Sequence, residues 1–183
     1  MAARRDAVSI RDPHAAVSIR PLRREDSIAE LTRLLHRAYA ALARMGLNYT
    51  PAEQTPETTR IRVEHGHCLV AVDGSQLVGT ILVNSTIPNP LGEIFGKPEV
   101  ASIHQFAVAP ERQGRGLGSL LLAHAEGLAK RLGFTEVALD TAESAPQLLA
   151  FYVRRGYRSV SSVHWNGKTY RSIVMSKELR TDG

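Results

Sequence analysis

The spacing of apolar positions changes several times along the chain, and each change marks an element. Ile28, Leu31, Leu34, Leu35, Ala38 and Leu42 recur at the spacing of one helical face. Ser27 with Glu30 fits a capping box at the start of that helix, and Gly46 is a suitable stop. Thr55 and Pro56 open a second helix that ends near Gly66. The pattern then becomes strand-like. Residues 68–72 read CLVAV, Asp73-Gly74 is a hairpin turn signal, and residues 76–87 read QLVGTILVNSTI. A loop rich in Pro and Gly follows, and residues 100–108, VASIHQFAV, read as another strand. A helix is predicted from about Gly118 to Leu132, with a stripe of Leu117, Leu120, Leu121, Ala125, Leu128 and Leu132. TEVALDT is a strand. Ser144 and Gln147 suggest a second capping box, with Pro146 in the first turn of a helix through Arg155. Residues 157–163 and 170–177 are two last strands, joined through Asn166-Gly167.

The resulting order is strand, two helices, three strands, helix, strand, helix, two strands. It predicts an α/β domain, a mixed sheet of about six to seven strands with flanking helices, spanning residues 16–180. The pentapeptide AVSIR occurs at 7–11 and again at 16–20, and only the second copy leads into the domain. Residues 1–15 therefore read as a flexible leader and 181–183 as a tail.

A chain of 183 residues can bury a core without disulfide or metal staples. The one cysteine, Cys68, excludes an intramolecular disulfide framework and fits a reducing cytoplasm. No apolar run approaches the roughly 20 residues of a membrane span. Formal charge is +5, which raises the idea of a nucleic-acid partner. Its distribution argues against one. Arg4, Arg5, Arg11, Arg20, Arg23 and Arg24 face only Asp6 and Asp12 in the first 24 residues, so the rest of the chain is almost neutral. His65 and His67 lack the further partners that a metal site needs, and no metal is expected.

Chemistry concentrates in Gln113-Gly114-Arg115-Gly116-Leu117-Gly118, between a strand and an amphipathic helix. Its glycines let a ligand approach the backbone, and the helix start offers free N–H groups and the positive end of the dipole. Arg112 and Arg115 add positive charge. The result is an anion cradle suited to phosphate. A dinucleotide fingerprint needs its third glycine one residue later, and a P-loop needs Gly-Lys-Ser/Thr. A pyrophosphate loop for coenzyme A and a plain glycine turn both remain open on the hexapeptide alone.

In context, FAVAPERQGRGLGSLLLAHAEGLAKRLGF resembles the central motif of the GNAT superfamily of N-acetyltransferases, with Gln113, Gly116 and Gly118 on its loop pattern. LLAFYVRRGYR resembles a second family segment through Phe151, Tyr152, Gly156 and Tyr157. The resemblance implies acetyl-CoA as donor and an amine acceptor, a small molecule or a peptide. It also implies that the backbone at Phe106, Ala107 and Val108 receives the pantetheine arm. Arg112, Gln113, Gly114, Arg115, Gly116, Leu117, Gly118 and Ser119 would then hold the pyrophosphate. By the same resemblance Tyr152 is the general acid for the leaving thiolate. His104 stands where many members carry a glutamate base, with Glu99 or a water chain as alternatives. Tyr39, Asn48 and Tyr49 fall where an acceptor wall forms, and Trp165 is another candidate for it. Ser144-Ala145-Pro146-Gln147 stands where the family often has an asparagine. A homodimer and a non-catalytic CoA-binding module on the same fold also fit the resemblance.

Overall fold

The computed structural model describes residues 17–84 and 93–179. The first AVSIR copy, the leader and the tail lie outside the described residues, and β1 (Val17–Pro21) belongs to the second copy. There follow α1 (Ile28–Arg44), α2 (Thr50–Glu53), α3 (Pro56–Glu64), β2 (His67–Asp73) and β3 (Gln76–Asn84). Next come β4 (Val100–Val108), α4 (Leu117–Arg131), β5 (Glu136–Ala142), α5 (Pro146–Val153), β6 (Arg158–Val163) and β7 (Ser172–Glu178). The strands form one seven-stranded sheet in the order β1-β2-β3-β4-β5-β7-β6. Only β4 and β5 run parallel.

Local chemistry explains most boundaries. Ser27 caps α1 by accepting the Glu30 N–H at 3.3 Å, and Gly46 follows the helix at φ +80°. Thr55 caps α3 in the same way, accepting from the Thr58 N–H at 3.1 Å, with Pro56 at the first position. The expected second capping box does not form. The residue before α5 is Ala145, with no side-chain cap, and Ser144 and Gln147 are exposed. Pro146 alone sets that start, since it has no N–H to be satisfied. The short α2 carries no apolar periodicity, and the sequence did not announce it.

Residues 78–83 of β3 are buried without alternation, as in a strand covered on both faces. The helices α1 and α4 both pack on β3 and β4. The buried arc of α4 is Leu117, Leu121, Ala125 and Ala129, with Leu122 beside it. Leu120 and Leu132, expected in the stripe, remain 40% and 42% exposed. The sheet meets a narrow four-residue repeat, and these two leucines flank it. Gly79 permits the close approach, because a Cβ there would sit 2.6 Å from Leu121 Cδ1.

Candidate active site

β4 and β5 separate soon after they meet. Their pairing runs only from Val100 to Ser102 on one side and Glu136 to Ala138 on the other. An irregularity in β4 accompanies the separation. Thr80 pairs with Ala107 and Leu82 with His104, so β4 holds one residue more than β3 across this stretch. Gln105 adopts φ +46°, the only described non-glycine residue at positive φ. Its side chain is buried, and Oε1 accepts from Gln54 Nε2 at 2.6 Å. Gln54 Nε2 also donates to Thr59 Oγ1, which receives the Thr32 hydroxyl at 2.8 Å. This buried polar chain ties α1 and α3 to the bulge and offsets its strain.

Two tyrosines reach into the gap between the strands. Tyr39 donates from its hydroxyl to the Phe106 carbonyl at 3.0 Å, on the β4 edge. Tyr49 accepts the Ala142 N–H at 2.7 Å, on the β5 edge, and contacts Thr141 Oγ1 at 3.0 Å. Tyr170 stacks on Tyr49 with ring centroids 4.8 Å apart.

The cleft is continuous with two cavities. One, of about 510 Å³, runs from Phe106, Ala107 and Val108 to Gln113, Gly114, Gly116, Gly118 and Ser119. Gly114 and Gly116 have φ of +72° and +94°, and Gly116 precedes α4 with no side-chain cap. The first N–H groups of α4 therefore have no side chain acceptor. Gln113 donates from Nε2 to the Val108 carbonyl at 3.0 Å and fixes the loop to the strand. The other cavity, of about 230 Å³, is lined by His104, Arg62, Asp140, Trp165, Lys168 and Tyr170 among others. Tyr39, Tyr49, Phe106, Asp140 and Tyr152 line both. A larger space of about 780 Å³ lies apart from these, over α4 and the end of β7, where Lys177 pairs with Glu126 at 2.7 Å.

A family model described as the acetyltransferase (GNAT) family matches residues 28–157. The chain belongs to the GNAT family of acetyltransferases. It is 29% identical over 160 residues to S-(2-succino)cysteine N-acetyltransferase of Bacillus subtilis strain 168, covering 86% of this chain and 94% of that one. It is 27% identical to the S-alkylcysteine N-acetyltransferase of the same organism, over 72% of this chain and 74% of the relative. A GNAT acetyltransferase from Elizabethkingia anophelis, solved with acetyl-CoA bound, superposes with a TM-score of 0.64 at 19% identity, covering 90% of this chain and 99% of that one. This chain is accordingly an N-acetyltransferase that uses acetyl-CoA as donor and acts on an amine.

In this acetyltransferase the 510 Å³ cavity joins the end of β4 to the glycine loop before α4. Phe106, Ala107, Val108, Gln113, Gly114, Gly116, Gly118 and Ser119 line it, whereas Arg112, Arg115 and Leu117 do not. Leu117 is buried in the core, so only its backbone is available. Arg112 pairs with Asp73 of the β2–β3 hairpin, and its charge is largely met there. Arg154 and Arg155, which the sequence did not single out, also line this cavity. Arg155 donates to the Ser119 hydroxyl and to the Phe151 carbonyl, and lies over the Phe151 ring at 3.5 Å. The adjacent arginines of FYVRRGYR were the available signal.

Tyr152 is 8% exposed, and burial pushes its hydroxyl well above the ordinary tyrosine range. Its hydroxyl makes no hydrogen bond among the described residues. His104 contacts Ser102 Oγ through Nε2 at 2.8 Å. Burial, and secondarily the charge of Arg62, lowers its pKa to about 4, so the ring is neutral at physiological pH. Trp165 donates from Nε1 to Asp140 Oδ2 at 2.9 Å. Glu99 is exposed and lines neither cavity. Asn48 sits just behind the wall and receives Lys168 Nζ on its carbonyl at 2.7 Å. Burial raises the Cys68 thiol to about 11, which leaves it a core residue. Among the described residues no cluster could hold a metal ion, and no helix is long and apolar enough to cross a membrane.

Proposed function

We propose that this enzyme transfers the acetyl group directly from acetyl-CoA to the primary amine of a small molecule, with Tyr152 as general acid. The observation that carries this reading is the position of Tyr152, whose side chain lines both the donor cavity and the smaller cavity. The acceptor enters the smaller cavity as an ammonium and loses a proton. Its nitrogen attacks the acetyl carbonyl carbon, and a backbone N–H near Val108 meets the oxyanion. The carbon–sulfur bond then breaks, Tyr152 gives its proton to the leaving thiolate, and the second proton shed by the amide nitrogen returns through water to the Tyr152 oxygen. A phenol held above its ordinary pKa is protonated at any working pH, so the acid is always loaded.

His104 is the first acceptor of the ammonium proton, supported by its place in the acceptor cavity and its neutrality. A base this weak passes the proton on to water rather than holding it, which joins the histidine and a water chain into one route. The acceptor's size is supported by a cavity of about 230 Å³ and by the relatives, which are named for substituted cysteines. The single cysteine and the acetyl-CoA donor support a cytoplasmic setting.

The test is calorimetric titration with acetyl-CoA, paired with thiol release over a panel of amino acids, peptides and polyamines. Binding in the micromolar range and release with small primary amines are expected. Tight binding with no release from any amine would identify a CoA-binding module instead.

A further inference from the structure

Arg62 lies in the last turn of α3 and lines the smaller cavity. It is half-buried, and among the described residues it makes no hydrogen bond and no ion pair. Half-burying a guanidinium without a partner is unfavourable, and a fold does not keep such a group by accident. Lys168 lines the same cavity from the β6–β7 connection. It donates to the Asn48 carbonyl at 2.7 Å and to Thr50 Oγ1 at 2.9 Å, both neutral groups. That leaves one of its three N–H donors unused. Asp140 is the only carboxylate lining the cavity among the described residues; it accepts from Trp165 and forms no ion pair. With His104 neutral, the lining carries two cations and one anion that do not pair with one another.

We propose that Arg62, with Lys168 beside it, anchors a carboxylate of the acceptor, so that the acceptor is an amine that also carries an acid, an amino acid in the simplest case. The inference rests on the transferase reading and names its substrate class. A guanidinium fork matches a carboxylate in two parallel hydrogen bonds. Asp140 supplies the opposite charge for the ammonium. A zwitterion thus completes a charge pattern that the protein leaves open. A polyamine would bring further positive charge to a lining that already has an excess of it. Glu53, Glu57 and Glu99, three acids that could serve a polycation, do not line the cavity. Burial chiefly holds His104 neutral, and a carboxylate on Arg62 would offset the secondary contribution of the Arg62 charge, making that ring a better proton acceptor once the substrate is bound.

Trp165 is the only tryptophan in the chain and lines this cavity, so its emission reports acceptor binding without turnover. The protein, saturated with CoA, is titrated with S-methylcysteine, with its methyl ester, and with the matching amine that lacks the carboxyl group. The acid is expected to bind about 10- to 100-fold more tightly than either analogue. Arg62→Gln should remove that preference, Arg62→Lys should keep part of it, and both variants should bind acetyl-CoA as before. In turnover, Arg62→Gln should raise the acceptor KM far more than it lowers kcat. Equal binding of acid and ester, an equal loss for both in Arg62→Gln, or no binding of any probe overturns the anchor. If the acid is preferred but no amine ever releases thiol, the transferase reading falls and the carboxylate site stands. If no probe binds while other amines release thiol, the anchor alone falls.

Discussion

The two ends of the cleft are built from different material. In the proposed reading the donor end offers backbone, a splayed strand edge and the start of a helix at residues 106–119, beside side chains of α1 and α5. The acceptor end is side chains. Tyr39 comes from α1, Arg62 from α3, His104 from β4, Asp140 from β5, and Trp165 and Lys168 from the β6–β7 connection. A ligand portion common to every reaction can be held by main-chain groups, which tolerate sequence change. A portion that distinguishes one substrate from another needs side-chain chemistry. Tyr152 is one of five residues that line both cavities, and in the proposed reading it is the one that couples them.

The largest effect therefore belongs at the junction. Tyr152→Phe keeps the ring that packs at 5.2 Å from Phe151 and 5.6 Å from Tyr157 and removes only the hydroxyl. We expect kcat to fall about 10²- to 10³-fold, with acetyl-CoA and acceptor binding within about twofold of the parent. Calorimetry and single-turnover thiol release measure the two arms separately. Unchanged turnover would remove Tyr152 from the chemistry and leave the two ends uncoupled.

The same contrast governs what could be read from the sequence. Gln113 to Gly118 is contiguous, and its glycines carry a local meaning at any position in a fold. The strand-helix rhythm around it was legible for the same reason, because each period is a property of neighbouring residues. The sheet of seven strands followed from that rhythm. Arg62 was invisible. It sits on a helix with little amphipathic character, and only tertiary packing brings it to the cavity that Asp140 also lines. Asp140 itself reads as an ordinary polar residue in a strand. Gln105 gives no hint of positive φ, since the bulge and the buried hydrogen bond from Gln54 that accompany it join residues distant in the sequence. The expected cap at Ser144 failed because Pro146 already met the local requirement.

Acid should disturb the acceptor end first, because that end carries the titratable groups. The folded-state pKa of His104 is lowered to about 4 from an ordinary 6.5, so the unfolded chain binds its proton more readily. His104 thus contributes stability that is fully present above about pH 6.5 and is lost as pH falls toward about 4. The loss should reach about 2 kcal/mol near pH 4.5. Asp26 is also lowered, by Arg20 beside it, but its contribution is lost only in the carboxylate range and is shared by any variant at position 104. Urea unfolding at about pH 7 and about pH 4.5, for the parent and for His104→Gln, isolates the histidine. An equal loss in both proteins would mean that His104 titrates normally and faces solvent.

The smallest effects should come from single glycines of the donor loop, and two of them separate conformation from space. Gly116 sits at φ +94°, where any L side chain is strained, so Gly116→Ala should lower stability by about 1–2 kcal/mol. Gly118 has no such strain, and a Cβ there would lie 3.6 Å from Phe106 and Val108 and 3.7 Å from Phe151, in ordinary contact. Gly118 is the second residue of α4, where Ala is the better helix former, so Gly118→Ala should leave the melting temperature unchanged or slightly raised. It does place a methyl group in the wall of the donor cavity, next to the strand that receives the pantetheine arm in this reading. Acetyl-CoA binding should weaken about threefold to tenfold in both variants, by a strained loop in one and a filled wall in the other. Neither should alter the preference among acceptors, since neither residue reaches the smaller cavity. A shift in acceptor preference from either substitution would show that the two ends are not separable, and that the backbone loop helps to choose the amine.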